Sequence, residues 1–123
     1  MFELSVTARF SAAHHLRGYP GVCAAPHGHN WDVRVFVRGS RPNRMGVIVD
    51  FRELRQAVEQ VIKRLDHTDL SALELFRGKN PTSENIARFL FREISARVNC
   101  RTHKVSRVSV QETPGTEASY WEE

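Results

Sequence analysis

The sequence predicts one α+β domain, an antiparallel four-stranded sheet carrying two helices in the order β-β-α-α-β-β. Three observations predict it. Apolar residues alternate with polar ones at both ends of the chain, the period of half-buried strands. Two stretches between them repeat apolar residues every three or four positions, the period of amphipathic helices. The chain has 123 residues, of which 41% are apolar and 26% charged, which suits one domain with a real core and is too short for two.

The first strand spans residues 2–12, where Phe2, Leu4, Val6, Ala8 and Phe10 alternate with Glu3, Ser5, Thr7, Arg9 and Ser11. A loop with Gly18, Pro20, Gly21 and Pro26 follows. The second strand runs from about 28 to 39, with Trp31, Val33, Val35 and Val37 on one face and Asp32, Arg34 and Arg38 on the other. After the turn segment "GSRPNRMG", Asp50 and Glu53 form a capping-box pattern. Phe51, Leu54, Val58, Val61 and Leu65 then mark a helix of about four turns that ends near "LDHTDL". Thr82 or Ser83 caps a second helix, with Glu84 in its first turn and a stripe of Ile86, Phe89, Leu90, Ile94 and Val98. "KVSRVSVQE" is a third strand, Pro114-Gly115 a turn, and "ASYW" a short fourth strand.

Composition narrows the function. The net charge of +4 favours an anionic partner, either nucleic acid or a phosphorylated small molecule. The arginines (Arg9, Arg17, Arg34, Arg38, Arg41, Arg44) are scattered and form no basic tail. The sequence holds no apolar run long enough to span a bilayer, and its start alternates unlike a signal peptide, so a cytoplasmic protein without membrane attachment is expected. Cys23 and Cys100 lie far apart and read as thiols, Cys100 as a buried spectator.

The segment "VCAAPHGHNWDV", residues 22–33, carries the chemistry. His27 and His29 stand at i and i+2, so on a strand their rings share a face with backbones about 7 Å apart. Gly28 between them lets the backbone bend. A catalytic zinc takes three protein ligands and keeps a fourth position for water or substrate. The first strand ends in "FSAAHHL", where His14 keeps the parity of Phe10 and Ala12 while His15 points away; His14 is therefore the expected third ligand. Four of the six histidines fall within residues 14–29. On spacing alone Cys23 could instead complete a closed structural site. Glu112 shares parity with Val108 and Val110, which would set an acid on an apolar face in need of partners.

Taken in order, "FSAAHHL", "CAAPHGHN", "VDFRELR", "LDHTDL", "NPTSENIA" and "VQET" resemble the 6-pyruvoyl-tetrahydropterin synthase superfamily from about residue 8 to the end. The three residues between Cys23 and His27 resemble its 6-carboxy-5,6,7,8-tetrahydropterin synthases of queuosine and deazapurine biosynthesis, a tRNA modification route. The resemblance implies the tunnelling fold (T-fold), in which sheets join around an oligomeric barrel, commonly a hexamer made of two trimers, with active sites at subunit interfaces. It implies His14, His27 and His29 as ligands of Zn2+, Cys23 as a catalytic thiolate and Asp66 and His67 as the pair that works with it. It implies Glu112 as a catalytic residue that either holds the pterin or joins the proton relay. The implied reaction converts 7,8-dihydroneopterin triphosphate and water to 6-carboxytetrahydropterin, acetaldehyde and triphosphate. That triphosphate accounts for the basic charge without direct nucleic-acid binding.

On chemistry alone Asp66 stands too near His67 in sequence to clasp its ring and should reach the thiol or a partner strand instead. Trp31 replaces a tyrosine common in the family and should pack without reacting. Two rival readings remain: a pyruvoyl-type synthase that eliminates triphosphate and keeps the side chain, and a non-catalytic zinc-stabilised module that binds RNA through its arginines. Against the last, no stacked aromatics are spaced along a basic strand.

Overall fold

The computed structural model describes residues 1–123 apart from the side chains of Val22 and Cys23. Strand β1 (Phe2–His14) and strand β2 (His27–Gly39) pair antiparallel without interruption, from Phe2 opposite Gly39 to His14 opposite His27. Helix α1 (Phe51–Ile62), strand β3 (Thr68–Asp69), helix α2 (Ser83–Val98), strand β4 (His103–Gln111) and strand β5 (Ala118–Tyr120) follow. The sheet has five strands in the order β3-β1-β2-β4-β5. The four-stranded antiparallel expectation is corrected by β3, two residues that run parallel to Ala12 and Ala13 of β1. So short a strand leaves no periodicity to read, and its pairing is fixed by the turn before it.

The alternation places Val6, Phe10 and Ala12 of β1, Trp31, Val33, Val35 and Val37 of β2, and Val105, Val108 and Val110 of β4 in the core. Both helices cover this face with Leu54, Val58 and Val61 from α1 and Ile86, Ala87, Leu90 and Ile94 from α2. Phe10 and Trp31, directly paired, stack with ring centroids 5.7 Å apart. Asp50 caps α1 by accepting from the Arg52 N–H at 2.7 Å. Thr82 rather than Ser83 caps α2, accepting from the Asn85 N–H at 3.1 Å. The helix α1 ends at Ile62, so Leu65 is buried beyond it, in the turn that leads to β3.

Cys100 is exposed, not buried. Its thiol lies 3.3 Å from Thr102 Oγ1 and 3.5 Å from His103 Nδ1 in the α2–β4 turn, and the Thr102 hydroxyl leads the contacts that hold it below the usual thiol range. Period-3.6 reading placed it just after the helix, where the chain has already left the core.

The β2–β4 ladder shifts register between Phe36 and Val37 and then closes on Gly39, opposite His103. A Cβ at Gly39 would stand 2.7 Å from the Thr102 carbonyl oxygen and from Ile48 Cγ2. The carbonyl belongs to the backbone and cannot rotate away. Gly39→Ala is therefore expected to cost about 1–3 kcal/mol by overpacking, read as a lower urea midpoint with unchanged m-value; a change under ~0.3 kcal/mol would contradict this close approach.

Candidate metal centre

The β1–β2 register brings His14 opposite His27 and Ala12 opposite His29. Even positions of β1 and odd positions of β2 share the core face, so all three imidazoles emerge from the end of the apolar layer. Their ring centroids lie 4.5 Å (His14–His27), 5.2 Å (His14–His29) and 4.9 Å (His27–His29) apart. Glu112, just past β4, continues the face of Val108 and Val110 and reaches the same point: Oε1 lies 2.8 Å from His14 Nε2 and 3.2 Å from His29 Nε2. One ligand atom from each of His14, His27, His29 and Glu112 fits within 4.8 Å of all the others. Parity in the sequence set His27 with His29, His14 with Phe10 and Ala12, and Glu112 with Val108 and Val110; the strand register brings these sets together, Glu112 included, which was expected at the pterin and not among the metal ligands.

Two carbonyls orient the rings, and sequence reasoning missed both. His14 Nδ1–H donates to the Pro81 carbonyl at 2.9 Å, and His27 Nδ1–H to the Ala25 carbonyl at 2.7 Å. A carbonyl only accepts, so each ring carries a proton on Nδ1 and turns Nε2 toward the site. Outer partners of this kind fix the tautomer of metal-binding histidines. A backbone acceptor has no residue type to search for; the proline just before a helix cap was the only signal for the first.

Trp31, fully buried, is the floor under the site. Its ring meets those of His14 and His29 edge-on at 4.9 and 5.3 Å, and its indole N–H donates to the Ala12 carbonyl at 3.2 Å. His14 is 1% exposed. Burial holds His29 below the usual imidazole range, against the opposing pull of Glu112. The Nε2 atoms of His14 and His29 are buried and have no hydrogen-bond partner among the described residues. Three imidazole nitrogens and a carboxylate, two of those nitrogens buried and without a hydrogen-bond partner among the described residues, are a donor set suited to zinc.

Asp66 and His67 stand outside this group. Asp66 Oδ1 accepts from the Ser11 N–H at 2.9 Å, and the His67 N–H donates back to the Ser11 carbonyl at 2.6 Å. This reach to a partner strand was expected. The expectation that Asp66 would not clasp its neighbour is corrected: Oδ2 lies 3.0 Å from His67 Nδ1. His67 adopts a left-handed backbone, φ 58°, which folds its ring back over Asp66. That ring is 82% exposed. Cys23, the expected thiolate, lies outside the described residues.

The 6-pyruvoyl tetrahydropterin synthase family model matches residues 3–123. The 6-carboxy-5,6,7,8-tetrahydropterin synthase of Bacillus subtilis is 32% identical over 126 residues, covering 97% of this chain and 84% of that protein. A putative 6-carboxy-5,6,7,8-tetrahydropterin synthase of Archaeoglobus fulgidus is 34% identical over 105 residues, covering 84% of this chain and 85% of that one. The 6-pyruvoyl tetrahydrobiopterin synthase of Drosophila melanogaster is 36% identical over 96 residues, 76% of this chain but only 56% of its own length. The solved 6-pyruvoyl tetrahydropterin synthase of Caenorhabditis elegans superposes with a TM-score of 0.88 at 26% identity, covering 99% of this chain and 96% of that one.

Two expectations follow from the geometry. His27→Ala removes one of the three ring nitrogens, and zinc affinity, measured by competition with a chromophoric chelator, falls by more than the roughly 10–100-fold that loss of an outer partner costs; unchanged affinity would contradict a shared ion. The Ser11 N–H, chief among its contacts, holds the Asp66 carboxyl below the usual range. Its contribution to stability is thus complete above the unfolded value of about 3.9 and is lost as pH falls through the lower folded value. In thermal melts from pH 6 to pH 2.5, Asp66→Asn should narrow the difference from wild type as acid is added, and a constant difference would refute the linkage.

From the match over nearly its whole length and the T-fold of its structural neighbour, this chain belongs to the 6-pyruvoyl tetrahydropterin synthase family of pterin enzymes.

Proposed function

We propose that the protein is a zinc-dependent 6-carboxy-5,6,7,8-tetrahydropterin synthase, a carbon-carbon lyase. It converts 7,8-dihydroneopterin triphosphate and water to 6-carboxytetrahydropterin, acetaldehyde and triphosphate, in the cytoplasm and on the route to queuosine. The observation that carries this reading is the convergence of His14, His27, His29 and Glu112, with two ring nitrogens buried and unpartnered. His14, His27 and His29 would hold the Zn2+, which would supply polarisation of the side-chain hydroxyls of the substrate. The Bacillus and Archaeoglobus relatives, whose names state this activity, support the assignment.

The chain's own groups divide the remaining work. Cys23, four residues before His27, serves as the base that takes a proton from the substrate side chain. Glu112 receives the amino-pyrimidine edge of the pterin, since a carboxylate accepts two parallel N–H donors. Asp66 orients His67, and the exposed His67 ring acts on the substrate across a subunit boundary. That boundary belongs to a homo-hexamer of two trimers. Supporting it, β3 pairs only with Ala12 and Ala13, so the β1 edge from Phe2 to Ser11 has no strand partner among the described residues. An apolar groove of about 550 Å³ lined by Phe2, Leu4, Val47 and Phe51 borders that edge, and Phe2 and Phe51 are each 54% exposed. Among the described residues, no helix is long and apolar enough to cross a membrane.

The Drosophila relative favours a second reading, the pyruvoyl-type synthase that eliminates triphosphate and keeps the three-carbon side chain. Incubation of the purified protein with 7,8-dihydroneopterin triphosphate separates the two. Acetaldehyde and a product with the mass of 6-carboxytetrahydropterin are expected; triphosphate released without acetaldehyde would establish the second. Cys23→Ala should keep zinc and fold while turnover falls by at least ~100-fold, the scale of a lost general base. Loss of both metal and fold would instead mark a closed structural site.

A further inference from the structure

We propose that Glu112 is an exchangeable fourth ligand, bound to the metal ion in the resting protein and drawn off it by the pterin ring. The inference rests on the zinc-site reading above and goes beyond it by giving one carboxylate two alternative partners.

The argument begins with lone pairs. His14 Nδ1–H is committed to the Pro81 carbonyl, so Nε2 is the ring atom turned toward Glu112 Oε1, at 2.8 Å. His29 Nε2 approaches the same oxygen at 3.2 Å. Neither nitrogen forms a hydrogen bond among the described residues. A carboxylate oxygen and an imidazole lone pair at that distance repel unless a cation lies between them. Metal–ligand bonds of about 2.0–2.1 Å set neighbouring donors of a tetrahedral zinc roughly 3.3 Å apart. The two Glu112 contacts approach that edge length, and His27 completes the group within 4.8 Å.

The position of Glu112 makes the ligand exchangeable. It stands one residue beyond the last residue of β4, and its side chain is 32% exposed, against 1% for His14. The three histidines are held by an uninterrupted strand pair and by carbonyls at Nδ1 of His14 and His27. Among the described residues Glu112 has no comparable restraint: its short contacts there are the two ring nitrogens themselves. A ligand with an amino-pyrimidine edge would offer the carboxylate two N–H donors and compete for it. The coordination place it gives up would then be open to that same ligand. A closed resting sphere would also keep water and stray anions from the ion until substrate arrives.

The test uses the full chain with zinc replaced by cobalt(II), whose visible bands report coordination. Wild type should show tetrahedral bands, and 7,8-dihydroneopterin should shift them as the carboxylate leaves. Glu112→Gln and Glu112→Ala should start from a different spectrum and bind zinc at least ~10-fold more weakly, with melting of the metal-free protein used to confirm folding. The inference is overturned if both variants keep the wild-type spectrum and zinc affinity while His27→Ala loses the ion, because the metal site then stands with Glu112 outside it. If His27→Ala also leaves metal binding unchanged, the metal reading falls and takes the inference with it.

Discussion

The structure depends on the unbroken antiparallel ladder between β1 and β2. Side chains on a strand change face with every residue, so a slip of one position would invert the whole set. In the register observed, Phe10 faces Trp31, Val6 faces Val35, and the last pair is His14 with His27. The register that buries the aliphatic layer is therefore the register that gathers the imidazoles. Core packing and metal-site assembly are one constraint, and the hydrophobic effect enforces both.

The site is fastened to the rest of the molecule through very few contacts. Trp31 stacks on Phe10 inside the core and touches His14 and His29 with its edges, so ring positions inherit the rigidity of the packed layer. The Pro81 carbonyl, immediately before the Thr82 cap, links His14 to the start of α2. Asn80 reinforces the same corner, accepting from the Arg17 N–H at 2.8 Å and donating to the Arg17 carbonyl at 2.9 Å. The loop that leaves β1 and the loop that enters α2 are thus held together beside the histidines.

Against this rigid half stands a looser one. Glu112, beyond the end of its strand, and His67, on a left-handed turn at the surface, are more exposed than His14. Three histidines fixed by a strand pair, with an acid beside them, form a group that could hold a metal ion in a pterin enzyme. Among the described residues the outer edge of β1 from Phe2 to Ser11 has no strand partner, and an apolar groove lies beside it.

Strand parity paired His27 with His29 and set His14 with Phe10 and Ala12 and Glu112 with Val108 and Val110, because period-two alternation ties each residue to those two positions away; the strand register then joins these faces. Helical stripes and capping residues gave both helices for the same local reason, and the ordered motifs gave the family. Tertiary structure decided what local patterns do not encode. The two-residue strand β3 exists because Asp66 and His67 bind the backbone of Ser11, and His67 clasps Asp66 through a positive φ that no side-chain pattern announces. The Pro81 carbonyl that fixes the His14 tautomer is 67 residues away in the chain. Cys100 was misplaced because burial past a helix end is set by where the following strand docks. Contacts built from backbone atoms across long separations carry no residue-type signature, so only the folded chain reveals them.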